Sequence, residues 1–326
     1  MKVFSCILLF AICSIKSYSQ ISKENLNDLK KSEKIMITPA VEMIQGYAPE
    51  QRVVADSIFT RQFVNALKIN NSFYYPFDSI ETISKLYPPD SSFRIFTWQL
   101  VINENSVRQH GAIQMKTNDG TLKLFPLIDK SSTIDDITDT VTNNFSWIGA
   151  VYYKLIPVSF NGKTVYTLIG YDENNIRTSR KIVEILDFKN GQPVFGGNYF
   201  VIADGKIVPK PIKRYVMEFK KMAGPRLTFD NDLDMIIMEH LISETNEPEK
   251  KWTLVGDGDY EGLKWKNGKW VFINKVFNEV TPEGKPPTPK IIRDDAGNVD
   301  ETQVKGFENE ELITPVKKTK TPKKKN

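Results

Sequence analysis

The sequence predicts an α+β protein: a helical N-terminal segment, then a predominantly antiparallel β-meander sheet or sandwich, then a disordered C-terminal tail. Three observations predict it. Val54, Phe59, Phe63 and Leu67 recur near helical spacing behind Pro49, which suits a first helical turn. Asn161-Gly162, Asn190-Gly191 and Asn267-Gly268 each separate runs rich in aromatic and β-branched residues. Asn-Gly tolerates positive φ at both central positions, as a two-residue hairpin requires. Residues 282–326 carry Pro282, Pro286, Pro287, Pro289, Pro315 and Pro322 and end in a lysine-rich run. That segment has too few apolar side chains to offset its chain entropy.

Residues 1–19 read as a signal peptide. Lys2 precedes the apolar core 3–12, and Ser17-Tyr18-Ser19-Gln20 follows, so cleavage after Ser19 would leave Gln20 first. The apolar core is too short to span a bilayer as a helix, and no later segment is apolar for long enough. Both cysteines, Cys6 and Cys13, lie in this leader, so the mature chain is expected to carry no thiol and no disulfide. The bulky Ile12 argues against lipid attachment at Cys13.

Residues 20–130 are expected to hold helices followed by the first strands. A short second helix is expected after Asp78, with Glu81 three residues on, Ile80, Ile83 and Leu86 as its buried stripe and Pro88-Pro89 as its stop. The period then changes to alternation. Strands are expected over 93–100, 111–116 and 121–125, the last two flanking Asn118-Asp119-Gly120. Residues 131–144 are rich in Asp, Ser, Thr and Asn and read as an acidic, polar surface loop or a seam. Residues 145–281 are a cadence of hairpins around the three Asn-Gly pairs, with weaker turns at Asp204-Gly205 and Asp230-Asn231. The run 177–186 reads as strand rather than helix.

The chain's +4 formal charge resides in its ends. Lys2 and Lys16 lie in the leader, the tail holds ten basic and eight acidic residues, and the body between is neutral. A neutral body gives no basic face for nucleic acid. The lysine-rich tail (Lys317, Lys318, Lys320, Lys323, Lys324 and Lys325) could engage an anionic surface or an envelope protein.

Catalytic signatures are sparse. No G-x-S-x-G elbow is present, and two histidines, His110 and His240, cannot build a three-histidine zinc site. In Gly256-Asp257-Gly258-Asp259-Tyr260-Glu261-Gly262 the third glycine comes one residue too late for a dinucleotide loop. Asp257, Asp259 and Glu261 alternate as oxygen ligands for a hard cation would, but the EF-hand spacing places Gly268 where the bidentate Glu belongs. They are the candidate metal ligands. Trp98 and Trp252 could line a binding groove, and His240, closing the apolar run 235–239, is the third candidate ligand-binding residue. Packing alone also accounts for tryptophans in strands. No cofactor is expected.

The stretches Ser92-Phe93-Arg94-Ile95-Phe96-Thr97-Trp98, Tyr166-Thr167-Leu168-Ile169-Gly170-Tyr171-Asp172, Lys181-Ile182-Val183-Glu184-Ile185-Leu186 and Tyr260-Glu261-Gly262-Leu263-Lys264-Trp265-Lys266-Asn267-Gly268-Lys269-Trp270 resemble uncharacterised exported proteins of Bacteroidetes-type bacteria, and the short leader ending in Ser-Gln fits them too. The resemblance covers about 92–271, implies a periplasmic or cell-envelope home, with an extracellular one open, and implies no activity. The function expected is a non-catalytic binding or assembly module of the envelope. A hydrolase acting on envelope polysaccharide or peptide through scattered carboxylates is the alternative.

Overall fold

The computed structural model describes residues 21–103, 106–202 and 210–277. The leader, both cysteines, the Asp204-Gly205 turn and the 282–326 tail lie outside the described residues. Two helices open the chain, α1 (Lys23–Gln45) and α2 (Pro49–Leu67). Ser22 caps α1, its hydroxyl accepting the Asn25 N–H at 3.1 Å. Pro49 starts α2, where its missing N–H costs nothing. Phe59, Phe63 and Leu67 are buried as the spacing predicts, but Val54 faces solvent and its neighbour Ala55 turns inward.

Three mostly antiparallel sheets follow. The first runs β1 (Ser84–Leu86), β2 (Phe93–Asn103), β3 (Ser106–Met115), β4 (Lys123–Ile128) in spatial order. The second contains β5 (Thr142–Asn143), β6 (Val151–Phe160), β7 (Lys163–Asp172), β8 (Thr178–Lys189) and β9 (Gln192–Phe195). The third sheet takes up β10 (Phe200–Ile202) and β11 (Lys210–Ile212). The strand after them, β12 (Arg214–Lys220), pairs instead with β8 of the second sheet. The third sheet is completed by β13 (Leu227–Asp230), β14 (Met235–Ser243), β15 (Leu254–Lys266) and β16 (Lys269–Ile273). The Asn-Gly pairs have φ of 49° and 76°, 52° and 73°, and 48° and 76°, the left-handed geometry of tight hairpins. The third sheet is not a plain meander, because β10 lies parallel to β16.

The short helix expected after Asp78 does not form. Residues 78–82 make turns, and Ser84–Leu86 pairs antiparallel with β2. Glu33 of α1 takes the Ser79 N–H at 2.8 Å, so the segment's first donors are satisfied across the fold rather than by a cap. Ile80 and Ile83 are still buried, carried there by tertiary packing instead of helical period.

Helices and sheets stack as four layers. Phe96, Trp98 and Leu100 of β2 pack on the helices. Phe93 and Ile95 of the same strand, with Ile113 and Leu127, pack on the second sheet. The second sheet is buried on both faces. Leu168, Ile182 and Leu186 meet the first sheet, while their chain neighbours Ile169, Val183 and Ile185 meet Phe200, Ile236, Leu263 and Trp270 of the third. Burial on both faces explains the adjacent apolar pairs Leu168-Ile169 in β7 and Ile182-Val183 and Ile185-Leu186 in β8.

Two buried arginines tie the layers. Arg94 is fully buried and has no carboxylate partner among the described residues. Its guanidinium donates to Gln114 Oε1 (2.8 Å), Ser72 O (2.8 Å), Tyr75 O (2.6 Å) and the Tyr87 hydroxyl (2.8 Å). The rings of Phe73, Phe77, Tyr87 and Phe96 surround it at 4.6–5.9 Å. Arg214 pairs with Glu184 at 3.0 Å, both fully buried. Tyr152 hydroxyl also donates to Glu184, and Arg214 reaches the Ile137 and Thr140 carbonyls of the polar loop. That loop therefore lies pinned across the second sheet.

Candidate functional site

A polar cleft of about 790 Å³ opens where the ends of β3 and β4 meet the ends of β7 and β8. Its floor is built on Gln109. Alternation along β3 sends Gln109 toward the second sheet and His110 toward the helices. The Gln109 amide donates to Asp172 Oδ1 at 3.2 Å, and its backbone N–H donates to Asp129 Oδ2 at 3.3 Å. Its own Oε1 is buried without a hydrogen-bond partner, and the residue is 2 % exposed.

Asp129 closes β4 and staples the loop behind it. Its Oδ1 accepts the Ser131 N–H (2.9 Å), the Ser131 hydroxyl (2.6 Å) and the Gly149 N–H (3.2 Å). This turn needs glycine at 149, because an added Cβ would lie 2.5 Å from both Asp129 Oδ2 and Gln109 Cβ. Asp172 closes β7 and is 8 % exposed. Burial pushes its carboxyl above the usual range, and Asp129 adds to that. The Asn174 N–H, the Gln109 amide and the Arg180 charge act the other way.

His110 stacks on Trp98, ring centres 5.7 Å apart and planes 12° from parallel. Its Nε2 stands 3.4 Å from Asp56 Oδ2, an ion-pair distance whose geometry makes no hydrogen bond. Burial pulls the imidazole below its ordinary value, and Arg108 pulls it further, against Asp56 and Asp129. At the rim, Arg180 gives its Nε to Glu218 at 2.9 Å. The side chains of Arg108 and Lys130 have no such partner among the described residues. No Phe, Tyr or Trp lines the cleft among the described residues.

The candidates read from sequence fall elsewhere. Trp98 is 3 % exposed, edge-on to Phe59 and Phe63, and offers no free ring face. Trp252 is 38 % exposed on the turn Lys251–Thr253, with the Arg177 guanidinium 4.1 Å over its ring. His240, Asp257 and Glu261 do come together. The β14–β15 register breaks between Glu239 and Leu241, so His240 faces the extra residues 257–259. His240 Nδ1 lies 2.8 Å from Asp257 Oδ2, and its Nε2 lies 3.9 Å from Glu261 Oε1. Asp259 meets the same turn by donating its N–H to Asp257 Oδ1 at 3.0 Å. Among the described residues, no group of three or more His, Cys, Asp or Glu side chains is placed to hold a metal ion.

No protein-family model, no curated protein and no solved structure matches this chain. The site must therefore be read from its own geometry. Sequence reasoning missed Gln109, Asp129 and Asp172. Two signals were present. Asp172 is an acid closing the apolar stretch Leu168-Ile169-Gly170-Tyr171, and Asp129-Lys130-Ser131 has the spacing of an Asx turn.

Proposed function

We propose that this protein is an exported, non-catalytic binding module of the cell envelope and that the cleft around Gln109 is its binding site. The observation that carries the reading is the buried Gln109 Oε1, an acceptor left without a donor in a concave, polar site. An unpartnered acceptor on a residue that lines a polar cleft is the kind of group a ligand's donor would satisfy. The leader, and the resemblance of 92–271 to exported proteins of Bacteroidetes-type bacteria, support the envelope assignment. The lysine-rich tail would add a screened electrostatic contact to an anionic surface or an envelope protein.

Hydrolysis by a carboxylate pair is the second reading, favoured by Asp129 and Asp172 meeting on Gln109. Against it, Asp129 already accepts hydrogen bonds from Ser131, Gly149 and Gln109 on both oxygens, which ties the carboxylate to the turn.

The test is to express the full chain, fractionate the cells, and incubate the purified mature protein with small molecules extracted from the envelope. The expected result is an envelope-fraction protein beginning at Gln20 that retains an extract component unchanged, with retention lost in Arg108→Ala/Lys130→Ala. A cytoplasmic protein with its leader attached, or chemical conversion of the retained component, would overturn the reading.

A further inference from the structure

One strand of the second sheet keeps an edge open. β12 pairs with β8 in a register that continues past its end, where the Lys221 N–H reaches Arg177 O at 2.9 Å. Antiparallel pairs alternate, so residues 215, 217 and 219 give their backbone groups to β8, and residues 214, 216, 218 and 220 turn theirs outward. Both ends of that outward row are occupied. The Arg214 N–H donates to Thr138 O at 3.3 Å, and Lys220 O accepts the Ala223 N–H at 3.0 Å. Between them, the N–H and C=O of Val216 and Glu218 have no backbone partner among the described residues. Both residues are only half-buried. A cavity of about 270 Å³ lies against this gap. It touches the four consecutive residues 215–218, whose side chains alternate between the two faces of the sheet, so it runs along the edge rather than over one face. Ile137 belongs to the core on one side of the second sheet and Leu241 to the core on the other, so the two wall the cavity from opposite faces.

The chemistry of the gap names its occupant. Two donors and two acceptors, set two residues or about 6.6 Å apart along a strand, match the backbone of one extended chain. A second copy presents its own β12 edge at the bottom of the same walled trough, too recessed to reach this one. Charge adds a further condition. Of the charged side chains on the cavity, Arg180 and Glu218 pair at 2.9 Å. Lys251 donates to Pro248 O at 3.2 Å and has no carboxylate partner among the described residues. The chain's own lysine-rich run 317–325 carries the same sign as Lys251. We propose that the open edge of β12 takes an extended, acidic peptide segment of a partner protein as an added strand. One apolar side chain of that segment sits against Met217, Leu241 and Leu254, and the acid beside it faces Lys251. Backbone hydrogen bonds supply the hold, and the alternate side chains supply the choice of partner. This edge is a second surface, and the reading does not rest on the cleft around Gln109.

The experiment uses the mature full chain and fluorescein-labelled, blocked threonine heptapeptides that carry one leucine, isoleucine, valine or phenylalanine and, two residues on, one glutamate. Binding is read by fluorescence anisotropy. Each peptide is also made in two backbone-methylated forms, one lacking the N–H groups of the even positions and the other those of the odd positions. An added strand turns only alternate N–H groups to its neighbour. One methylated form is therefore expected to bind about tenfold or more weakly, the worth of one or two lost backbone hydrogen bonds, and the other to bind as the parent does. Val216→Pro removes an outward N–H and leaves the ladder to β8 intact, so it should weaken binding of the parent peptide by a similar factor. Lys251→Ala should erase the preference for glutamate over glutamine. Thermal melts establish that both variants fold, and the methylated peptides test the wild-type chain independently of them. Hydrogen exchange at the 216 and 218 amides should be fast in the free protein and slowed by the peptide. Slow exchange at both without peptide would overturn the proposal, placing the chain's own tail on the edge if it is independent of protein concentration and a second copy if it is not. Equal effects of the two methylated forms, or no binding of any peptide, would overturn it as well.

Discussion

Arg94 shows what a single buried cation does here. Its guanidinium satisfies two backbone carbonyls, an amide oxygen and a hydroxyl that no apolar side chain could serve. Lysine has one head and a different geometry, so Arg94→Lys is not conservative. Arg94→Leu and Arg94→Lys are each expected to lose about 3–5 kcal/mol, the usual cost of breaking a buried charge's network. Urea unfolding checks it, and a loss below about 1 kcal/mol would refute the network's role. The two histidines pull stability in opposite directions with pH. For His240, burial lowers the pKa, but the Asp257 hydrogen bond and the charges of Glu261, Asp257 and Asp259 outweigh it and hold the group above its ordinary value. Its contribution is full below about pH 6.5, the unfolded value, and fades as pH rises through its folded value. His110 is held below its ordinary value, chiefly by burial. Its contribution is full above about pH 6.5 and is lost as pH falls from there through its folded value. In melts from pH 5 to 8, His240→Gln should remove stability at the acid end and His110→Gln should remove the acid-side loss. Superimposable pH profiles for wild type and both variants would refute the assignment.

Elements here are decided by a contest between local signal and tertiary pairing. The three Asn-Gly hairpins were legible because positive φ at Asn161, Asn190 and Asn267 is a property of the residues themselves. The segment after Asp78 shows the opposite. Asp78 and Glu81 have capping-box spacing, yet Glu33 takes the Ser79 N–H and the edge of β2 claims residues 84–86. A cap is worth only about 1 kcal/mol, less than the pairing and burial gained. Likewise, nothing local announces that the polar loop 131–144 is clamped. Arg214 holds it through the Ile137 and Thr140 carbonyls while pairing with Glu184. Arg214→Met should cost about 3–5 kcal/mol by stranding Glu184 in the core. Hydrogen exchange at 137–142 should quicken more than in the β6–β7 hairpin. Uniform exchange changes across the second sheet would show that the clamp is not local to the loop.

At the scale of the molecule, the second sheet is the common wall of two cores. Neighbouring residues such as Leu168 and Ile169, or Ile182 and Val183, serve different cores. Neither core can be exposed without disturbing strands that bury the other. Unfolding is therefore expected as one cooperative transition, with helix loss at 222 nm coinciding with tryptophan burial signals from Trp147 and Trp270. Two separated transitions would mean that the helix-bearing half and the third sheet melt independently. The cleft belongs to this scale as well. Gln109, Asp129 and Asp172 come from three separate strand ends, brought together only because the first sheet lies on the second.

The residues alone determined that the chain opens with helix, where the three Asn-Gly hairpins bend back, and that the protein is predominantly antiparallel sheet. These follow from backbone preference and short-range periodicity, which act within a few residues. Only the tertiary structure decided that Trp98 is covered while Trp252 is partly open, that His240 meets Asp257 across a bulge, and that a glutamine lining a cleft keeps a buried oxygen without a partner. Those facts depend on which faces of different layers meet, and contacts between residues far apart in the chain leave no trace in local spacing.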